Sequence, residues 1–215
     1  MRILAISDVH GDTEKVKKLS YLIEKNNPDV IVVAGDLTQF GPKNVADKVI
    51  SELIKSGKKV LAITGNGDPP EIDDVLNRKN VQLGSKVVTV GSTGFVGFSG
   101  GETVHLGGSS FVTRYEPLDL KLRYLKSKKK VVVSHLPPKG TKDKIFSGQH
   151  VGSEFLRDMI NEKQPDLVIS GHVHEDAGVY TLGKTTVVNP GALCEGYGAF
   201  IDLEKETKVK FFKLD

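Results

Sequence analysis

The sequence predicts an α/β protein, and three observations support this prediction. First, short apolar runs in residues 1–65 alternate with stretches whose apolar residues recur at helical spacing. Second, residues 81–112 and 179–212 contain many glycines and β-branched residues and show no helical period. Third, five apolar runs each end in an Asp, Asn or His, as strands do when their carboxyl ends form a ligand site. We therefore expect helices that cover β-sheets in layers.

The N-terminal third of the chain predicts a βαβαβ unit, because apolar strands alternate with amphipathic helices that have recognisable caps. This pattern favours a parallel, right-handed arrangement. The predicted elements are a strand from Arg2, a helix from Asp12 or Thr13 to about residue 26, a strand at 30–34, a helix from Pro42 to Gly57, and a strand at 60–64.

The remainder of the chain predicts a second, strand-rich part. Alternating apolar and polar residues near the C-terminus indicate that its last strands form the edge of a second sheet. The predicted elements are a helix at 71–77, short antiparallel strands at 81–112, a helix at 117–127, a strand at 131–134, a long loop at 135–150, a helix capped by Ser153, a strand at 166–170, and strands at 179–212.

Composition narrows the class of protein. We expect the 215 residues to form one domain, residues 1–215, with a core large enough to need no disulfides. A net charge of +3 is too small to indicate a membrane or nucleic-acid partner, although nucleic acid is not excluded. The single cysteine, Cys194, gives no disulfide and no cysteine-based zinc site. Without a signal peptide or spanning segment, we expect a cytoplasmic protein of undetermined oligomeric state.

Side chains able to bind metal follow five of the predicted strands. Because parallel strands present their carboxyl ends at one edge of a sheet, these side chains are expected to meet in one polar site. The mixture of imidazole and carboxylate suits Mn, Fe, Zn, Co or Ni better than Mg or Ca. Seven groups exceed what one octahedral ion can use, so the pattern predicts two divalent ions. The candidates are Asp8, His10, Asp36, Asn66, His135, His172 and His174.

These segments resemble, in order, the five signature blocks of the calcineurin-like metallophosphoesterases, in particular the small prokaryotic members. Each block alone is a weak signal, but five in order over residues 8–174 make a strong one. A turn at residues 189–192 is also similar to one in the small members. The blocks are Asp8-Val9-His10, Gly35-Asp36, Gly65-Asn66-Gly67-Asp68, Ser134-His135 and Gly171-His172-Val173-His174.

The resemblance implies a four-layer αββα sandwich in which two mixed sheets are flanked by helices. It also implies that two ions share Asp36 as a bridging ligand. The first ion would take Asp8, His10, Asp36 and His174, and the second would take Asp36, Asn66, His135 and His172.

The implied activity is that of a binuclear-metal phosphoesterase acting on a small phosphoester, with a phosphodiester favoured over a monoester. A hydroxide bridging the ions would attack phosphorus in line with the leaving group, and Asn66 would help place a phosphoryl oxygen. The alternative is an interaction scaffold of the same fold that contains metal but has little or no activity. A nuclease would need a basic and aromatic surface that the sequence does not indicate.

One position departs from the family pattern. The family usually has a histidine after the asparagine of the third block, where this chain has Gly67. A general acid contributes about 10²- to 10⁴-fold to rate, so its loss would favour good leaving groups. His150, at the end of the long loop that follows His135, is a candidate replacement catalytic residue. A plain surface histidine explains His150 at least as well, and Asp68 is expected to be structural.

Overall fold

The computed structural model describes residues 1–84, 87–99 and 126–215, which form two β-sheets flanked by α-helices. The helices are α1 (Thr13–Asn26), α2 (Lys43–Ile54), α3 (Ile72–Arg78) and α4 (Glu154–Lys163). The strands are β1 (Arg2–Ile6), β2 (Val30–Ala34), β3 (Lys59–Ile63), β4 (Val88–Val90), β5 (Thr93–Phe98), β6 (Lys129–Ser134), β7 (Leu167–Ile169), β8 (Gly178–Leu182), β9 (Thr185–Asn189), β10 (Tyr197–Leu203) and β11 (Thr207–Lys213).

The first sheet has five strands in the order β11-β10-β1-β2-β3. Strands β1, β2 and β3 are parallel, which confirms the predicted βαβαβ unit. Asp12 caps α1 by accepting the Lys15 N–H at 3.0 Å, and Pro42 directly precedes α2. Both predicted helix starts are therefore correct.

Within the described residues, the second sheet has six strands in the order β4-β5-β6-β7-β9-β8. Strands β5, β6, β7 and β9 are parallel, and the hairpins β4-β5 and β8-β9 supply its antiparallel edges. Ser153 caps α4 by accepting the Leu156 N–H at 3.1 Å, as predicted. The predicted helix at 117–127 lies outside the described residues except for 126–127. Residues 85–86 and 100–112 of the stretch predicted to form short antiparallel strands, 81–112, also lie outside them.

The predicted position of the last strands is half wrong. Strands β8 and β9 do form an edge of the second sheet, but β10 and β11 extend the first sheet instead. The reason is that β10 pairs antiparallel with β1 and is nearly buried, with Ile201 inaccessible to solvent. Polar alternation in β11 marks the outer edge of that sheet and carries no information about which sheet it joins.

Three apolar clusters define four layers. On one face of the first sheet, residues such as Ile31 pack against α1, α2 and α3. Between the two sheets, residues such as Val32 and Val133 form a second cluster, and Val132 packs against α4 in a third. This is the four-layer αββα sandwich that the sequence led us to expect. Among the described residues, none of the helices combines the length and the apolar character needed to cross a bilayer.

Candidate metal centre

The loops after β1, β2 and β3 in one sheet meet the loops after β6 and β7 in the other. Main-chain and side-chain hydrogen bonds tie the two sheets together here. The Nδ1 atom of His135 in the second sheet lies 2.9 Å from the carbonyl oxygen of Ala34 in the first sheet. Within the first sheet, the Ser7 hydroxyl donates to the same carbonyl at 3.0 Å. The His172 N–H donates to Oδ2 of Asp8 at 3.0 Å. The polar strand ends therefore face one another across the sandwich.

Glycine allows this close approach. A Cβ atom added to Gly171 would lie 1.7 Å from Oγ of Ser7 and 2.6 Å from Oδ2 of Asp8. A Cβ atom on Gly35, whose φ is +91°, would lie 2.6 Å from Nδ1 of His135. Neither position has room for a side chain, so these glycines let the two sheets bring their polar ends into contact.

A first group that could hold a cation consists of Asp8, His10 and His174. Its ligand atoms lie within 4.8 Å of one another. The Oδ1 atom of Asp8 is 3.3 Å from Nε2 of His174 and 4.0 Å from Nε2 of His10. Carboxylate and imidazole donors at this spacing suit a transition-metal ion.

A second group consists of Asp8, Asp36 and His135, all of them buried. The Nε2 atom of His135 lies 3.4 Å from Oδ1 of Asp36 and 4.0 Å from Oδ1 of Asp8. His172 belongs to neither group, but its ring centroid is 5.1 Å from that of His135. The two groups share Oδ1 of Asp8, so two cations bound here would be close neighbours.

Three buried polar atoms test whether the site fits a metal. Oδ1 of Asp8, Nε2 of His135 and Oδ1 of Asn66 are inaccessible to solvent and have no hydrogen-bond partner among residues 1–84, 87–99 and 126–215. Burying such atoms without partners costs about 1–3 kcal/mol each, and more for charged groups. All three are atoms that can bind a cation, so the donor set fits the divalent ions expected from the sequence.

The second nitrogen of three histidines holds each ring in place. Nδ1 of His135 faces the Ala34 carbonyl, as described above. Nδ1 of His174 lies 3.0 Å from Oε1 of Glu195, and Nδ1 of His10 lies 3.4 Å from the Thr38 carbonyl. Each ring therefore presents Nε2 to the centre, which is the usual arrangement of a metal-binding histidine with an outer partner. Glu195 was not recognised in the sequence, where no periodicity or motif marks it.

Four of the candidate ligands have a left-handed backbone conformation, which is uncommon for residues other than glycine. The φ angles are +51° for Asp8, +48° for His10, +50° for Asp36 and +69° for His172. Each costs of order 1–3 kcal/mol and persists only where the surrounding structure enforces it. Such strain clusters at functional sites, which agrees with the position of these residues.

Protons and carboxylates compensate one another in the metal-free centre. Burial opposes ionisation of Asp8, but the His174 ring and the charge of His135 outweigh burial and lower the Asp8 pKa to about 2. Burial also opposes protonation of His135, yet the Asp36 carboxylate raises the His135 pKa to about 10. Asp8 raises the pKa of His174 to about 9, whereas burial lowers that of His172 to about 4. A bound cation would replace the protons on His135 and His174.

Asp68 organises the loop that carries Asn66. Its carboxylate accepts the N–H groups of Leu37, Thr38 and Gly65 at 2.8–3.0 Å, which fits the structural role expected for it. Burial raises the pKa of Asp68.

Gly67 lies against the Asp36 carboxylate. Its N–H donates to Oδ1 of Asp36 at 2.7 Å, and an added Cβ would lie 3.0 Å from Oδ2 of Asp36. A side chain at this position would therefore require the carboxylate to move by a few tenths of an ångström.

His150 lies outside both groups, in the loop between β6 and α4. Its Nδ1 atom is 2.6 Å from Oδ1 of the buried Asp143, and its side chain is 43% exposed. Asp143 was not singled out in the sequence, because a single aspartate in a charged loop gives no signal.

Comparison with known proteins agrees with this geometry. Residues 1–176 match the family model of the calcineurin-like phosphoesterases. The chain is 31% identical over 198 residues to the uncharacterized protein MJ1162 of Methanocaldococcus jannaschii, covering 88% of each chain. It is 24% identical over 165 residues to a probable cyclic nucleotide phosphodiesterase of Synechococcus, covering 76% of this chain and 64% of that protein.

A solved structure shares the fold. The crystal structure of a dimetal phosphatase from Danio rerio aligns with a TM-score of 0.75 at 15% identity, covering 98% of this chain and 95% of the other. The family model spans most of the sequence, including every candidate ligand. The chain belongs to the calcineurin-like phosphoesterase family.

Proposed function

We propose that the chain is a phosphoesterase that uses two divalent ions and prefers phosphodiesters. The observation that carries this proposal is the pair of ligand groups around Oδ1 of Asp8, a buried atom that has no hydrogen-bond partner in the described part of the chain. The phosphodiester preference is supported by the Synechococcus relative, which is a probable cyclic nucleotide phosphodiesterase.

The proposed ligands follow the family assignment. The first ion takes Asp8, His10, Asp36 and His174, and the second takes Asp36, Asn66, His135 and His172. In the metal-free geometry Asp8 is the residue common to both groups, while Oδ1 of Asp36 accepts the Gly67 N–H. Bridging by Asp36 is thus a proposal that rests on the family pattern, supported by the position of Asp36 beside His135.

The chain's own residues prepare the site for catalysis. When bound, divalent ions would acidify a water molecule and neutralise charge that develops on the phosphoryl group. Asn66 follows β3, and its buried side-chain oxygen lacks a hydrogen-bond partner among the residues that the structure describes. Its amide N–H₂ group can donate to a phosphoryl oxygen. The outer hydrogen bonds of His135 and His174 keep Nε2 of each ring directed inward, which limits reorganisation during the reaction.

A comparison of two p-nitrophenyl esters tests the proposed function. Metal-free protein is reconstituted with Mn, Ni, Co or Zn and assayed with bis-p-nitrophenyl phosphate and with p-nitrophenyl phosphate. We expect turnover with at least one metal, higher kcat/KM on the diester, and loss of turnover in Asp36→Asn. Asp47→Asn is a matched control, because Asp47 pairs with Arg78 on the surface of α2.

Two outcomes contradict the proposal in different ways. No turnover with any of the four metals would leave the metal-containing scaffold as the better interpretation. A higher kcat/KM on the monoester would retain the enzyme but reject the substrate preference.

A further inference from the structure

We propose that His150 donates a proton to the leaving group and that Asp143 is the residue that positions it. This inference rests on the proposed phosphoesterase function. His150 would supply the general acid that Gly67 cannot provide. Both His150 and Asp143 lie in the hairpin formed by residues 143–151, in the loop between β6 and α4.

Asp143 is a fixed point in this loop. It is inaccessible to solvent, and both of its carboxylate oxygens are satisfied. Oδ2 accepts the N–H groups of Gly140 at 3.0 Å and Gly152 at 2.9 Å, while Oδ1 accepts the N–H of Thr141 at 3.0 Å. Three main-chain donors therefore hold the carboxylate independently of His150.

The fourth contact fixes the tautomer of His150. Nδ1 of His150 lies 2.6 Å from Oδ1 of Asp143, and because a carboxylate can only accept, this nitrogen carries the proton. The side chain is 43% exposed, and Nε2 has no hydrogen-bond partner within the described parts of the chain. An imidazole held by a carboxylate at one nitrogen and open at the other is the arrangement used for general acid and base catalysis.

The hairpin is attached to the segment that follows a candidate metal ligand. Lys144 pairs with His150 across the hairpin, and the Lys144 N–H donates to Oδ2 of Asp176 at 2.9 Å. Asp176 is two residues after His174, in the same 3₁₀-helix. Paired strands lie about 5 Å apart, so the main chain of His150 is about 5 Å from the main chain of Lys144, which contacts Asp176.

The charged groups next to the hairpin include Lys142, Lys144, Glu175 and Asp176. Lys142 forms an ion pair with Asp176 at 2.6 Å, and Glu175 accepts the Phe146 N–H at 3.1 Å. Lys144 is exposed and pairs directly with His150 across the hairpin, so its side chain is on the same face of the hairpin as the imidazole. Of these groups, Asp143 is the one bonded to the imidazole, so it determines the orientation of the ring.

The proposed step moves one proton from His150 to the leaving oxygen. As the oxygen of water bonds to phosphorus, the phosphorus–oxygen bond to the leaving group breaks, and its electron pair remains on the leaving oxygen. That oxygen takes the Nε2 proton of protonated His150 and departs as an alcohol, leaving a phosphomonoester. His150 keeps its Nδ1 proton, which stays hydrogen-bonded to Asp143. Its Nε2 atom is protonated again by the proton that the attacking water released.

The test compares two diesters that differ in leaving group. Bis-p-nitrophenyl phosphate releases a weakly basic phenolate that needs little help, whereas diphenyl phosphate releases a more basic one. In the Mn-loaded protein, we expect His150→Ala to lower kcat on diphenyl phosphate by about 100-fold and on the nitrophenyl ester by less than about 10-fold. Added imidazole should restore much of the diphenyl phosphate rate. Gln149→Ala, an exposed neighbour, should change neither rate.

Asp143 is tested by a double-variant cycle. Asp143→Asn should reproduce the leaving-group dependence of His150→Ala and should add little loss in the double variant, because the two residues act as a unit. If Asp143→Asn fails to fold, His150→Ala and its imidazole rescue still decide the proposal. Equal losses on both esters, or no loss, would overturn it, whereas absence of turnover by the wild type would overturn the proposed function as well.

Discussion

The candidate metal centre and the hairpin at 143–151 are both built around a buried aspartate, but the two carboxylates differ in how they are satisfied. Asp143 accepts four hydrogen bonds, three of them from the main chain. In Asp8, Oδ2 accepts a main-chain N–H, while Oδ1 is buried and finds no hydrogen-bond partner within the described ranges of the chain. A satisfied carboxylate is part of the scaffold, whereas an unsatisfied one surrounded by imidazoles indicates a place for a cation.

The two regions also differ in how firmly they are held. The candidate ligands lie where two sheets meet, their backbone is strained, and neighbouring glycines leave no spare room. The hairpin is held through Asp143 and through contacts with Glu175 and Asp176, and Phe146 is 92% exposed. We therefore expect substitutions near Asp8 to change the free energy of unfolding and the metal affinity more than substitutions in the hairpin do.

The largest effect is expected from Gly171→Ala. The added methyl group would overlap Ser7 and Asp8, so we expect the free energy of unfolding to fall by about 3 kcal/mol, together with loss of metal binding. Gly41→Ala is the control, because its Cβ would meet nothing closer than 3.4 Å and should change stability by about 0.5 kcal/mol or less. Urea unfolding measures the free energy of unfolding of both variants. Equal stability of the two variants would contradict the close approach of the sheets.

The second-largest effect is expected from pH, which should change the affinity of the protein for metal ions. The pKa values of His135 and His174 in the metal-free protein are raised to about 10 and about 9, so at neutral pH both rings carry protons that a cation must displace. We expect Mn²⁺ affinity to rise with pH up to about pH 9, by as much as about 100-fold per pH unit when two protons leave. Calorimetric titration at several pH values, in buffers of different ionisation enthalpy, measures the protons released. Affinity independent of pH between 6 and 9 would contradict the assigned protonation.

A smaller effect is expected from Glu195→Gln. Glu195 holds Nδ1 of His174, and removal of such an outer partner weakens metal binding by about 10- to 100-fold. Because Glu195 is partly exposed, we expect the lower end, about 10-fold. Glu154→Gln, which removes a surface partner of Lys139, is the control and should bind Mn²⁺ like the wild type. A ratio near one between the two variants would show that Glu195 does not support the ligand.

The smallest effect is expected from Lys142→Met, which removes the ion pair between Asp176 and Lys142, the residue directly before the hairpin. We expect the free energy of unfolding to change by about 1 kcal/mol or less, as for most pairs near the surface. Hydrogen exchange of the hairpin amides should become faster while exchange in β1 and β2 is unchanged. Slower or unchanged hairpin exchange would contradict the view that these contacts hold the hairpin in place.

The sequence was informative where chemistry and periodicity act locally. The caps of α1 and α4, the parallel β1-β2-β3 unit and the strand ends that bear Asp8 and Asp36 follow from short patterns. The αββα arrangement followed from the family resemblance rather than from these patterns. Metal binding by the seven candidate residues stays a prediction, although the structure brings five of them into two compact groups.

The rest depended on contacts between distant parts of the chain. Strand β10 joins the first sheet because it pairs with β1, almost 200 residues earlier, and alternation within the strand cannot reveal its partner. Glu195 and Asp143 could not be found for the same reason: what distinguishes each carboxylate is a histidine that the fold places beside it. Position 67 shows the converse, because the sequence reveals the missing histidine but not the approach of Asp36.

The most direct test is the number of metal ions needed for activity. Metal-free protein at a concentration well above the Mn²⁺ dissociation constant is titrated with Mn²⁺, and the rate of bis-p-nitrophenyl phosphate hydrolysis is recorded after each addition. A site formed by both ligand groups predicts a rate that reaches its plateau at two equivalents per chain. A plateau at one equivalent, or no hydrolysis at any Mn²⁺ concentration, would contradict the proposal of a two-metal phosphoesterase.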